Sequence, residues 1–480
     1  MSRQPGPRLL LALAVTGFAA GFAALAEVRH QAFWSGRFDL GNLTQAVWST
    51  AHGHFLKLTD LQGRQISRLG AHFDPIVAVF APLWRIWPNP SLLLLVQSLA
   101  VAAGAVPVFL LARRHLGSEW AGLGFAIAYL LYPPTQWLVV DDFHPVALAT
   151  PLLLAGFWFL DTDRVAAFAL VGGLACLTKE HIGFTVAAMG VWYALGRLRR
   201  VGWVIALGGA AVSVIAIAVV VPHFAPGGGS PFEGRYTDVG GSPTGIVKTA
   251  LTDPQTTIAA VTEARDLQYV FHLLLPLAFL SLLSPAVTLT ALPEVLLNLL
   301  SDVRTQTSIH FHYTAGAIPG LIMGAILGAA RLRRMGGGFL GAETTAAITR
   351  GVVAVAVVTT ILYGPVPFWS HVPFGQKVAA SQYRVTARDH AAVTAISLIP
   401  PHTPVSASNT MGARLSARSR VFSFPVLEEA QWIAVDTLRM SYGDDNLGRT
   451  RGLRALRALR RSHEWRVVYA KKGILVLHHV

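Results

Sequence analysis

The chain has 480 residues, of which 53% are hydrophobic and only 13% charged, against about 25% charged in soluble domains. That leaves too little polar surface to cover a soluble core of this size. The formal net charge of +14 would suggest nucleic acid in a soluble protein, but here much of it is arginine at the ends of apolar runs. There it orients the chain and meets anionic lipid, and no nucleic-acid partner is expected.

The apolar runs are about 15–22 residues long, the length a helix needs to cross hydrocarbon. Helices are the form such runs take, because a bilayer offers the backbone no outside hydrogen-bond partner. The first run, 9–26, follows Arg3 and Arg8. Ala24-Leu25-Ala26 resembles a cleavage site, yet a cleaved signal peptide has a shorter apolar core of about 7–15 residues. An uncleaved first helix is expected. A polar segment follows from 27 to 72, then a short apolar stretch, 75–87, broken by Arg85 and Pro88, which reads as an interfacial or re-entrant helix. Further spans are expected near 91–112, 118–132, 145–160, 165–178, 182–196, 201–222, 267–283, 286–300, 314–330 and 348–366, about eleven in all counting the first. Cys176, the single cysteine, lies inside one of them and reads as a small core residue. It permits neither an intramolecular disulfide nor a cysteine-based metal site.

Arginine placement orients the bundle. Arg113-Arg114, Arg197-Arg199-Arg200 and Arg331-Arg333-Arg334 are the compact basic clusters between spans. Alternating helices from a cytoplasmic N-terminus puts all of them in the cytoplasm, as the positive-inside rule requires. The 27–74 loop, Asp141-Asp142, Lys179-Glu180, the 223–266 and 301–313 loops and the C-terminus then fall outside the cytoplasmic membrane. Gly227-Gly228-Gly229 reads as an ordinary loop. The expected division is a transmembrane domain over 1–370 and an extracytoplasmic soluble α/β domain over 371–480. In the latter, a helix near 379–398 leads to strand-like runs at 405–407, 420–424 and 432–435, and to two more at 466–469 and 474–478 about a Lys471-Lys472-Gly473 turn. The basic stretch 447–461 sets Leu453, Leu456 and Leu459 among arginines. It reads equally as a solvated helix face and as a surface for anionic phospholipid.

Polar residues collect on the outer side. The first loop carries Arg37-Phe38-Asp39-Leu40-Gly41-Asn42, Gln45, His52, His54, Arg64, Arg68 and His72-Phe73-Asp74-Pro75. Then come Asp141-Asp142-Phe143-His144-Pro145 and Lys179-Glu180-His181, and later His223, Arg235, Tyr236, Asp302, Arg304, His310, His312 and Tyr313. Acids, histidines and cations beside lipid are costly unless they share an aqueous cavity. Lys179-Glu180 sits between two apolar spans with little room to escape. A hairpin tip with a snorkelling lysine is the plainer reading, but a charged triplet exceeds what a tip requires. Asp39 reads as the cap of a following helix, as sharing a functional face with Asn42, or as both, and a cap alone does not explain the cluster around it. A carboxylate to deprotonate an acceptor hydroxyl, with cations to hold a phosphate leaving group, is what sugar transfer from a lipid phosphate needs.

An acid in the first outer loop, an interfacial helix, many spans and an outer soluble domain resemble the GT-C class of glycosyltransferases. More closely, Phe38-Asp39-Leu40-Gly41 with Gln45, His72-Phe73-Asp74-Pro75, Asp142-Phe143-His144-Pro145 and Lys179-Glu180 look like the prokaryotic membrane family domain of unknown function 2079. The resemblance covers most of the chain. It implies a GT-C-like inverting glycosyltransferase with Asp39 as catalytic base. Many of those enzymes carry a paired acid in that loop, where this chain has a single Asp. The expected donor is a polyprenyl-phosphate-linked sugar, its phosphate held by Lys179 with Arg68, His72 and Arg304. Asp142, His144, Glu180 and Asp74 would orient these groups or bind a divalent cation, magnesium or manganese. The acceptor is left open. A transporter or lipid flippase and a non-enzymatic envelope-assembly protein are the rival readings.

Overall fold

The computed structural model describes residues 5–228, 234–335, 341–440 and 448–480. Gly229 of the glycine loop and Leu447 of the basic stretch lie outside the described residues. A bundle of apolar helices makes up most of the molecule. Pro7–Gln31 packs on Ser91–Ala103 and on Glu119–Leu131, and Gly341–Tyr363 lies against the latter.

Among the described residues, four helices are long and apolar enough to cross a bilayer: Pro7–Gln31, Ser91–Leu116, Val201–Phe224 and Ala342–Tyr363. Glu119–Leu131 and Pro133–Val140, bent by 49°, add a fifth if the pair is one span. The expectation of about eleven full spans is therefore not met. Pro145–Asp161, Val165–Cys176, Ile182–Gly196 and Pro285–Leu299 are shorter apolar helices. The expected 267–283 span breaks after Leu274, where Pro276 and left-handed Ala278 and Phe279 divide it into 3-10 turns. Proline lacks an amide donor and clashes with the preceding turn, so Pro133, Pro276 and Pro285 shorten what hydrophobicity alone would continue. Between 75 and 87 the chain forms a 3-10 run, Pro75–Phe80, and a helix, Ala81–Ile86.

The bundle has two chemically different ends. The helix over Ala149–Asp161 begins just after His144 and ends at Asp161, a buried carboxylate paired with Arg114 at 2.8 Å, His115 at 3.1 Å and Arg197. Ile182–Gly196 likewise starts beside Glu180-His181 and ends beside Arg197. Arg333 reaches Gly117 at the same basic end. The arginine clusters and the loops rich in acids and histidines thus stand a helix length apart.

Seven strands are described. β1 (Lys57–Thr59) and β2 (Gln65–Ser67) form an antiparallel hairpin in the first loop. β3 (Val405–Ala407), β4 (Val421–Ser423), β5 (Trp432–Asp436), β6 (Trp465–Lys471) and β7 (Ile474–His479) make a sheet in the order β4-β3-β5-β7-β6. β3 is parallel to both its neighbours, and the β5-β7-β6 edge is antiparallel. Lys472 and Gly473 both take positive φ, 52° and 81°, as a tight hairpin turn requires. Helix Ala387–Ser397 covers one face of the sheet. Helix Gly448–Arg461 covers the other, turning Leu453, Leu456 and Leu459 toward Ile433, Trp465 and Leu477 and leaving its arginines exposed.

Candidate active site at the polar end of the bundle

After Gln31 the chain reverses through left-handed Phe33, and a single π-turn, Arg37–Gly41, then carries Asp39 ahead of helix Asn42–Ala51. Isolated π-turns are frequent at functional sites. Arg37 and Leu40 face inward and are fully buried, whereas the Asp39 side chain is 44% exposed. Asp39 does not cap the helix, whose N-cap position is Gly41, so the capping alternative falls away.

His144 stands opposite, its Nε2 3.4 Å from Asp39 Oδ1. Its amide donates to Gln97 Oε1 at 2.8 Å, and Gln97 Nε2 donates to the carbonyls of Val139 and Asp142 at 3.2 and 2.6 Å. A fully buried side chain of a spanning helix therefore fixes this turn. Asp142, left-handed at φ 47°, accepts the Gly36 amide at 2.9 Å and lies 3.6 Å from Arg29. It ties the loop of Asp39 to the loop of His144. Partial burial raises the Asp39 carboxyl, but the hydrogen bond and charge of His144, with Arg68 and Arg29, hold it below its ordinary value.

Asp141, His144 and His312 form the adjoining group. Asp141 Oδ2 accepts the His312 amide at 3.0 Å, and it lies 3.2 Å from His312 Nδ1 and 4.0 Å from His144 Nδ1. The two imidazoles stack at 3.6 Å. One ligand atom from each residue lies within 4.8 Å of the others, and buried His144 Nδ1 has no hydrogen-bond partner among the described residues. An orphaned buried nitrogen beside a carboxylate is what a divalent ion would satisfy. Two imidazoles favour manganese or another transition ion over magnesium. Burial pushes the Asp141 carboxyl up to about 6, against the pull of His144.

Of the four residues expected at a metal, only His144 is in this group. Asp142 is held as described. Glu180 accepts from His72 Nδ1 at 3.1 Å and the Phe73 amide at 3.0 Å. Asp74 takes Arg68 on both oxygens at 2.7–3.1 Å and is fully buried. Arg68 is thereby turned inward. Lys179 Nζ lies 3.4 Å from His72 Nε2. Burial and the Lys179 charge push His72 down to about 3, so the ring is neutral at ordinary pH and links Lys179 to Glu180. Next to it His181 pairs with Glu294 at 2.8 Å. Arg304 is exposed, and its side chain makes no hydrogen bond or ion pair with these groups among the described residues. Arg235 takes the nearer place, its charge acting on Lys179, His312 and Tyr313. The chain read alone brings Asp141, His312 and Arg235 to the polar end, yet no spacing rule distinguishes Asp141 from Asp142.

The family model for DUF2079, predicted membrane protein, matches residues 29–476. Among solved structures, that of ArnT from Cupriavidus metallidurans in the apo state is similar over 97% of this chain and 98% of that one. The TM-score is 0.52 at 15% identity, a likeness that speaks for the fold. No curated protein matches the sequence.

Proposed function

We propose that this chain, which belongs to the DUF2079 family of predicted membrane proteins, transfers a sugar from a polyprenyl-phosphate-linked donor to an acceptor outside the cytoplasmic membrane. The fold is similar to that of ArnT over nearly the whole chain, and with the sequence's resemblance to the GT-C class this supports the class of reaction. The observation that carries the reading is the Asp39–His144 pair, an ionised, half-exposed carboxylate opposed by an imidazole at 3.4 Å. The charges of Arg68 and Arg29 act on it besides that of His144.

In the proposed step the Asp39 carboxylate takes the proton of the acceptor hydroxyl. The acceptor oxygen bonds to the anomeric carbon as the bond from that carbon to the phosphate oxygen breaks. Polyprenyl phosphate leaves with the bonding pair, and attack opposite the leaving group inverts the centre. Lys179 and Arg235 stabilise the phosphate charge. His72 contacts Lys179 and the Glu180 and Asp74 carboxylates favour its charge, Arg68 is spent on Asp74, and none of these nor Arg304 touches the donor in this reading.

Asp141, His144 and His312 are the residues that would hold a divalent cation, which when bound supplies positive charge for a phosphate oxygen. His144 would offer Nδ1 to such an ion and keep Nε2 for Asp39, the usual division of a metal-bound imidazole. The exposed arginines of Gly448–Arg461 meet anionic lipid in this reading.

The test uses purified protein in lipid nanodiscs with a panel of polyprenyl-monophosphate sugars and crude envelope acceptors. Free polyprenyl phosphate is followed by mass spectrometry. Asp39→Asn is expected to slow release by about 10²–10⁴-fold. Unchanged release from a variant carrying both Asp39→Asn and Lys179→Ala would sink the assignment.

A further inference from the structure

We propose that the C-terminal α/β unit is a clamp that sets the position of Asp39, with Asn409 as its positioning residue. The proposal rests on the reading of Asp39 as the base. Its evidence is the way the segment from Ala32 to Gln45 is held, on both sides of Asp39, by residues more than 340 positions later in the chain.

Ahead of Asp39, Phe33 is built into the core of the C-terminal unit with Ala392, Ile399 and Met411. The Arg414 guanidinium lies 4.6 Å over its ring. Arg439 donates to the carbonyls of Ala32 and Phe33 at 2.8 and 3.1 Å and lies 4.3 Å over the Trp34 ring. Behind Asp39, Gln45 Nε2 donates to the carbonyls of Arg418 and Ser419 at 3.2 and 3.0 Å. The Val421 amide donates to Thr59 Oγ1 at 3.4 Å.

The π-turn itself is gripped from beneath. Buried Arg37 donates to Ser423 Oγ in β4 at 2.9 Å, and to Asn42 Oδ1 and the Thr59 and Asp60 carbonyls at 3.2–3.3 Å. Gly41 and Gly412 let the turn and helix Asn409–Leu415 meet backbone to backbone. A Cβ on Gly41 would stand 2.7 Å from Ser416 Oγ, and one on Gly412 would stand 2.8 Å from the Arg37 side chain.

Asn409 acts nearest the carboxylate. Its Oδ1 accepts the Phe38 amide at 3.1 Å, one residue before Asp39. The first amides of any helical segment have no partner within it, and here the partner comes from the far end of the chain. A π-turn holds one residue more than the α-turn it replaces. Without its outside acceptor the segment relaxes toward α, which rotates Asp39 about the turn axis and away from His144. Burial of Leu40 alone does not prevent that rotation. Asn409 touches no reacting atom, so its effect on the reaction is wholly one of geometry.

The experiment compares full-length wild type, Asn409→Ala, Asn409→Asp and Ser423→Ala in nanodiscs by hydrogen exchange and by turnover. In Asn409→Ala, exchange over the peptide containing Phe38–Asn42 is expected to rise about fivefold, with the helix bundle unchanged. Asn409→Asp keeps the oxygen acceptor and restores protection. Ser423→Ala, a milder loss of the Arg37 contact, gives a smaller rise in the same peptide and serves if Asn409→Ala does not fold. Turnover of Asn409→Ala falls through kcat at nearly unchanged KM, and Asn409→Asp recovers it. Unchanged exchange at Phe38–Asn42 in both Asn409→Ala and Ser423→Ala overturns the clamp, whatever activity does. Raised exchange in a protein whose wild type releases no polyprenyl phosphate supports the clamp and overturns the transferase reading instead.

Discussion

His144 and His72 show how two imidazoles at one site come to different work. His144 offers one nitrogen to Asp39 and turns the other, unpartnered, toward Asp141, whereas both nitrogens of His72 are engaged by Glu180 and Lys179. The first arrangement predicts a metal. Asp141→Ala and His312→Ala should each lower manganese occupancy, read by elemental analysis after dialysis, by at least about tenfold. Asp142→Asn should leave occupancy intact, because Asp142 spends its oxygens on Gly36 and Arg29. Equal loss in all three variants would mean that the group is merely a structural knot. For His72 the sign of the pH effect follows from burial, which pushes it down to about 3 from an unfolded value of about 6.5. Between those values the unfolded chain binds the extra proton, so this residue makes stability rise with pH over that window and contributes no change above it. His72→Gln should flatten the melting temperature of the purified protein between about pH 4 and pH 6.5 relative to wild type. Parallel curves would show that the ring is charged when folded.

Among the elements, the pairing of Ile182–Gly196 with Val201–Ile215 shows most directly what the residues dictate. Gly183 and Gly190 on one helix meet Gly202 and Gly209 on the other. An added Cβ would stand 2.3 Å from the Gly209 carbonyl at Gly183 and 2.5 Å from the Ala194 amide at Gly202. Small residues let helix backbones approach closely in lipid, where no hydrophobic force drives them together. Gly202→Val should therefore cost about 1–3 kcal/mol of stability, seen as a lowered melting temperature. Gly208→Val, whose Cβ meets nothing, should be neutral. A neutral Gly202→Val would remove close packing as the reason for the glycines. How legible each element was follows the same physics. The C-terminal strands were readable within a residue or two, because β-branched runs end at turn residues such as Lys472-Gly473. Apolar runs located the helices but not their lengths, since hydrophobicity persists through Pro276 and Pro285 while the hydrogen-bond ladder does not. Asp39, His144 and Lys179 could be picked out as candidates because polar groups stand out against apolar flanks. The Asp141–His312 contact could not, because it joins loops 171 residues apart.

At the scale of the whole molecule, the Asp161 knot with Arg114, His115 and Arg197 occupies one end of the bundle and the Asp39 group the other. Asp161 is fully buried by its partners, and removing one member of such a network typically costs about 3–5 kcal/mol because the others are left uncompensated. Asp161→Ala should lower the melting temperature strongly while the turnover of the protein that stays folded is retained. A selective loss of turnover without loss of stability would show that the two ends are coupled. Which end faces out is a separate question, and the clamp makes it answerable with one label. Because Asn409, Arg439 and Ser423 fasten the C-terminal unit to the Asp39 segment, a probe on that unit reports the side of the site as well. The positive-inside rule sends the arginine end to the cytoplasm. Cys176 is the single cysteine, so Cys176→Ser gives a clean background. In it, Ser462→Cys should react with a membrane-impermeant maleimide on intact spheroplasts, and Arg200→Cys only after lysis, both positions being exposed. The reverse pattern would put Asp39 on the cytoplasmic face, where a lipid-linked donor presented outside cannot reach it.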